Sequence, residues 1–461
     1  MKYIFDKVKL YLVSSAKLGL ILLLHVYPVI SFEVVDDLLD DVEPVENAKN
    51  SNFYFTGFLK ENLHYTKPFL IAEGAKINLL TSLSQVRLQL SHKKKHTEFE
   101  LSLNSKAYIS NFTDFQEFQY RWQQHSRNRF MPLEYTLKEN SYYFIEEVHR
   151  FTFSLFSDKF LFKVGRQAIS WGQSRFINPI DLITPSGPFL FDIEDIEASD
   201  SLNLQYFINS LDFIQLVIIP YRENNIKDYS NLKFKNSNLL MRYKRTIDNV
   251  DLTLFSGYQF RSFVWGNDLS ITKWGASFRT AYLGRLENAT YYQWYNSQLL
   301  MTMEATMPQE VTSQFTLGVS YAFWSKLRSN IEFLYNSNYS NNNQGLENLI
   351  EVENNVKAGF IDPLVNDVSF FKTAGRVITK NPYFLQFSLD YDINTLLTTG
   401  VVMIVDITKQ GYFFALSINY NLSDESIWVF SYRNSLDLDG KGESDFSGFK
   451  PEVYSFIRWH F

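Results

Sequence analysis

The feature that most constrains this chain is a period of two that recurs almost from end to end. In SQVRLQLS, Val86, Leu88 and Leu90 alternate with Gln85, Arg87 and Gln89. The same alternation runs through EFELSLN (98–104), QFTLGVSYAF (314–323) and YFLQFSLDY (383–391). Side chains of a strand point alternately to its two faces, so each segment reads as a strand with unlike neighbours on either side. Roughly 18 such segments of about 9–13 residues can be counted, the length that crosses a bilayer at a tilt. In lipid every backbone N–H and C=O has to be paired within the protein, so a spanning sheet must close on itself. The expected fold is therefore all-β, a transmembrane antiparallel up-and-down barrel of 16–18 strands.

The connections support that reading. Short turns are expected at HKKKH, SDK, NSLD, IDN, LGRLEN, WSKLRS, DYDIN and NLSDE, and longer loops around 111–141, 169–198, 223–236, 297–310, 339–381 and 436–448. TKQG (408–411) is a tight turn where the parity asks for a loop. Short turns at one end and long loops at the other are the pattern of outer-membrane barrels. Aromatic residues make up 17% of the chain, as interfacial girdles require. There is no cysteine, which excludes disulfides and thiolate metal sites, and a net charge of −6 gives no nucleic-acid signal.

Lys2, Lys7 and Lys17 precede the apolar run LGLILLLHVYPVISF, so residues 1–31 read as a cleaved secretory signal. Residues 32–51 form an acidic leader. Its Val35, Leu38, Leu39 and Val42 have helical spacing among Asp36, Asp37, Asp40 and Asp41, and it reads either as a solvated leader or as a short docking helix. Residues 52–461 would be the barrel. Its last strand, EVYSFIRWHF, puts Val453, Ser455, Ile457, Trp459 and Phe461 on one side, and closure pairs it with the first strand near Phe53–Glu61.

Trp459 and Phe461 match the C-terminal insertion signal of Gram-negative outer-membrane proteins, and that resemblance implies recognition by the barrel-assembly machinery. A second resemblance lies in KFLFKVGRQAISWGQSRFINPIDLITP (159–185), where Gly165, Arg166, Gln167, Trp171, Gly172, Arg175, Asn178 and Asp181 spell GRQ…WG…NP…D. This is similar to a segment of poorly characterised outer-membrane porin-like families, including one of unknown function and the alginate-export-like barrels. Glu146 and Glu147 and the opening FTGFLKENLHY fit as well. The resemblance implies an outer-membrane barrel among lipid and lipopolysaccharide, and no particular substrate.

The motif follows the fifth strand, in the third long loop, and is expected to fold inward around 169–198 and narrow a pore. Arg166 and Arg175 would face Asp181 or the acidic run DIEDIEASD (192–200); the plainer alternative is an Arg166–Asp181 pair that pins the loop to the wall. With polar faces inward, Arg87, Lys163, Arg242, Lys244 and Arg279 line the lumen against Glu98, Glu100 and Glu332. Arg433, Arg458, Asp251, Glu287 and Asp390 extend the set, and the signs nearly balance.

The expected function is diffusion of small hydrophilic solutes through a polar lumen. Alternatives are export of a polysaccharide or other polymer, a plugged surface receptor or adhesin, and a membrane-embedded hydrolase. The seven histidines show no triad or zinc spacing, and ISWGQS is not a nucleophile elbow, so the chain does not read as an enzyme and no cofactor or metal is implied. Oligomeric state and solute identity have no sequence signature here.

Overall fold

A computed structural model describes residues 52–66, 78–111, 130–131, 133–139, 142–184, 196, 198–220, 237–259, 262–286, 311–337, 379, 381–438, 444, 446 and 451–461. The signal and leader lie outside the described residues. In chain order the strands are β1 (Asn52–Thr66), β2 (Leu79–Lys93), β3 (Thr97–Ser110), β4 (Glu134–Glu139), β5 (Tyr142–Phe156), β6 (Phe160–Gln167), β7 (Ser199–Phe207), β8 (Phe213–Ile219), β9 (Asn238–Ile247) and β10 (Val250–Gln259). They continue with β11 (Ser262–Lys273), β12 (Ala276–Leu286), β13 (Val311–Phe323), β14 (Leu327–Asn336), β15 (Tyr383–Asp392), β16 (Leu397–Asp406), β17 (Gly411–Asn421), β18 (Ser426–Asp437) and β19 (Glu452–His460).

Each strand pairs antiparallel with its neighbours, and β19 pairs with β1, so the sheet closes. The closure is finished by Phe461, whose N–H donates to the Gly57 carbonyl at 3.0 Å and whose carbonyl accepts from the Gly57 N–H at 2.9 Å. Eighteen strands run around the barrel. The nineteenth, β4, lies inside the loop expected at 111–141 and shares one edge of β5 with β6. It pairs with Tyr142–Glu147, while β6 pairs with Phe151–Phe156.

The connections depart from expectation in particular places. LGRLEN is not a short turn, because β12 runs on through Leu286. The turn in that region is Trp274–Gly275, with φ of 54° and 75°, the left-handed pair of a type I′ hairpin. At the loop end, β10 ends at Gln259 and β11 begins at Ser262, while the four residues 407–410 join β16 to β17. The other end, which carries both ends of the sheet, has connections of two to five residues throughout.

The two faces of the wall differ as lipid and water would require. Phe55, Leu254, Leu317, Ile331, Leu385 and Leu416 are exposed on the outer face. The inner positions beside them carry Asn62, Thr253, Thr316, Glu332 and Gln386, all buried in the barrel. An exterior of this kind is stable in hydrocarbon and not in water, which makes the sheet a transmembrane one. Among the polar residues that break the pattern, Glu61 lies in register with the outward Ile457 and accepts a 2.7 Å hydrogen bond from the Ser84 hydroxyl.

Candidate functional site

Gly165, two residues before the end of β6, adopts φ +118°, a conformation open to glycine; a Cβ there would meet the Phe151 carbonyl oxygen at 2.0 Å. The chain then leaves the wall, and residues 168–184 pack on inward-facing side chains. Ile169, Trp171, Ile180, Leu182 and Ile183 form one buried apolar cluster with Val217 and Ile219 of β8, Leu240 of β9, Phe255 of β10, Val264 of β11 and Ala281 and Leu283 of β12. The Arg242 guanidinium stands 5.1 Å from the Trp171 ring. Ile177 packs against a second cluster built from Leu334, Phe384, Ile404, Phe413 and Phe446.

Polar contacts fix the backbone of the segment. Asn178 Nδ2 donates to the Trp171 carbonyl at 2.6 Å and its Oδ1 accepts from the Ile180 N–H at 3.3 Å. Gly172, at φ +88°, lies so close that a Cβ would meet this amide at 2.5 Å. The Thr184 hydroxyl donates to the Ile169 carbonyl, and the Ser170 hydroxyl to Asp181 Oδ2, each at 2.7 Å. Hydrogen bonds also tie the segment to the wall. Gln259 Nε2 donates to the Leu182 carbonyl at 2.7 Å, and the Arg175 N–H to Glu332 Oε2 at 3.1 Å. The Ser174 hydroxyl meets that of Thr316 at 2.9 Å, and Gln173 Nε2 meets Asp251 Oδ2 at 3.5 Å.

Arg166 does not pair with Asp181. Its Nε donates to Asp200 Oδ1 at 2.8 Å and its Nη2 to Oδ2 at 3.1 Å. Nη1 bonds the Val148 carbonyl at 2.7 Å, Nη2 bonds the Met131 carbonyl at 2.5 Å, and the Met131 N–H returns 2.6 Å to Asp200. Arg166 is 1% exposed, so it is a pin inside the wall that ties residues 130–131 to β5 and β7. Gln167 bonds the Lys163 and Ser201 carbonyls and accepts from Asn203, which also places it in the wall. The Arg175 side chain is exposed.

The charged residues expected in the lumen lie at inward register positions. Arg87 is opposite Asn104 and Phe58, Glu98 opposite Ser154, and Glu100 opposite Thr152 with Lys163 Nζ at 3.8 Å. Arg242 and Lys244 alternate with the outward Met241 and Tyr243 on β9. Arg279 donates to the Ser320 hydroxyl at 2.6 Å and to Asn330, one row from Glu332. Glu287 lies outside the described residues.

Sequence reading missed Lys60, Lys106, Glu147, His64, Glu452 and Asp268, all inward. Lys106 and Glu147 pair at 3.4 Å, and His64 Nε2 stands 3.1 Å from Glu452. Their signal was available in the alternation itself. In FLKENLHY, Lys60 and Glu61 are adjacent and therefore face opposite sides, and the phase of β19 decides which is inside.

No family model matches the chain, and no characterised protein matches it by sequence. Solved structures match its shape. OccAB4 of Acinetobacter baumannii aligns with a TM-score of 0.51 at 9% identity, over 91% of this chain and 100% of that one. OccAB1 of the same organism aligns with a TM-score of 0.50 at 9% identity, over 89% and 96%. At this identity the likeness is one of fold.

Proposed function

We propose that the chain is an outer-membrane channel through which small hydrophilic solutes diffuse, with residues 168–184 narrowing the passage from inside. The observation that carries this reading is the placement of a non-strand segment against inward side chains of five consecutive strands, β8 to β12, in a barrel whose inner face is polar. Truncating a buried Trp costs about 3–5 kcal/mol. A segment held by Trp171 and four further buried apolar residues therefore stays in place while solute passes.

The segment presents the exposed Arg175, and the wall around it carries Arg279, Asp268 and Glu332, which are themselves buried. Opposed charges in a cleft with low-dielectric walls strengthen the local field and orient polar solutes. In this reading Trp459 and Phe461 belong to the strand the assembly machinery recognises, and the short connections face the periplasm. Planar-bilayer recording of the purified chain tests it. Deleting residues 169–184 raises single-channel conductance if the segment narrows the pore. Unchanged conductance, or none in the intact protein, overturns the reading.

A further inference from the structure

The outward side chains of β19, β1, β2, β3 and β5 form rows across the wall. One row reads Ile457, Glu61, Ser84, Ala107, Phe144. The next toward the chain termini reads Trp459, Leu59, Val86, Ser105, Glu146. Glu61 lies four residues from the outward Tyr65, and Glu146 four residues from the outward Tyr142. Phe55 to Tyr65 is the eleven-residue length that crosses a bilayer at a tilt, so Glu61 lies within the hydrocarbon band.

This part of the outer face differs from the rest in size as well as polarity. Ser82, Ser84, Val86, Ser105 and Ala107 point outward yet are only 2% to 7% exposed. The outward Leu254, Leu317, Ile331, Leu385 and Leu416 of other strands are 40% to 54% exposed. The short side chains of β2 and β3 lie between longer ones, Leu59, Glu61 and Leu63 on β1 and Phe144 and Glu146 on β5. The outer wall therefore carries a groove floored by β2 and β3. Three strand spacings separate its flanks, about 14 Å, which admits one row of side chains.

Hydrocarbon offers a groove of this kind no hydrogen bonds. A protein surface does, and small residues and hydroxyls let two backbones approach closely in a bilayer. Within the patch, Glu61 accepts from the Ser84 hydroxyl and Ser455 accepts from the Trp428 indole N–H at 2.8 Å. A carboxylate has about four acceptor positions, so Glu61 has room for a further hydroxyl donor.

The patch holds both halves of a fit. The β1 ridge stands beside a groove of the right width for such a ridge, and its carboxyl stands beside hydroxyls of the kind it accepts from. Copies inserted into one membrane share one orientation. A two-fold axis along the membrane normal therefore sets the ridge of each copy against the groove of the other at equal height. We propose that the protein forms a parallel two-fold dimer through the outer face of β1, β2 and β3. Leu59, Glu61 and Leu63 of one copy seat over Ser84, Ser105 and Ala107 of the other. These side chains face away from the lumen, so the dimer stands or falls apart from the channel reading.

The chain has no native cysteine, which makes the test direct. Ser84→Cys lies where ridge meets groove, beside the axis, and Leu317→Cys lies on β13 across the barrel. In lipid vesicles, oxidation should give a covalent dimer from the Ser84→Cys chain and none from the Leu317→Cys chain. Equal yields from both, or no dimer from either, overturn the proposal. Light scattering of the purified protein in mild detergent is the second measurement. The parent should carry two chains per particle. Ala107→Trp fills the groove and should leave one chain per particle, with the parent's compact gel mobility and conductance per barrel retained. Val86→Phe fills the same groove and should do the same. A parent of one chain or three chains per particle, or folded groove-filled variants that remain paired, overturns the proposal.

Discussion

Arg166 satisfies a buried charge in full. Its guanidinium reaches both Asp200 oxygens and two backbone carbonyls, and the carboxylate takes a further N–H from Met131. Breaking such a pair from one side leaves the other charge buried and unpaired, at a cost of about 3–5 kcal/mol. Arg166→Ala should therefore lower the temperature at which the folded barrel loses its compact gel mobility. Asp200→Asn should do the same by a smaller amount, and the double variant should cost less than the sum of the two. Additive losses would mean that the two residues act separately. GRQ is legible as a motif, and Arg166 is legible as a residue needing an acid. The partner was not, because Asp181 and Asp200 are both acidic and both near in sequence. Only the β6–β7 register selects Asp200.

At the level of the element, the alternating strands were the most legible part of the chain, since a one-residue slip would turn every side chain to the wrong face. Turns were less so. Trp274–Gly275 has a bulky residue at positive φ, and nothing in a tryptophan signals a turn. The expected break at LGRLEN failed because Gly284 sits under the Trp265 ring within a continuing strand, where a Cβ would meet that ring at 2.4 Å. β4 was hidden because it is only six residues and borrows the edge that β6 vacates. β19 offers the clearest test at this scale. Phe461 makes two backbone hydrogen bonds to Gly57, and its ring lies 6.4 Å from Phe55. Removing Phe461 should slow assembly into lipid vesicles and weaken the β1–β19 seam. Assembly at the parental rate would show that closure does not depend on the terminal residue.

For the whole molecule, three physical demands converge. Lipid requires a closed sheet, closure requires the last strand to meet the first, and a barrel of 18 strands leaves an interior that side chains of the wall alone do not fill. Residues 168–184 occupy part of that interior. The site was legible as a segment unlike its surroundings, rich in Gly, Trp and Pro between two strands. Its seating on β8 to β12 was not, because those contacts span about 40 to 110 residues of sequence.

The central claim is that alternate side chains of one strand touch hydrocarbon and the lumen. It is tested most directly by placing a single cysteine, labelled with a small fluorophore, at each position from 314 to 321 of β13 in turn, in vesicles containing lipids brominated on their chains. Quenching should be strong at Phe315, Leu317, Val319 and Tyr321 and weak at Gln314, Thr316, Gly318 and Ser320. Uniform quenching along the strand, or none at any position, would contradict the account.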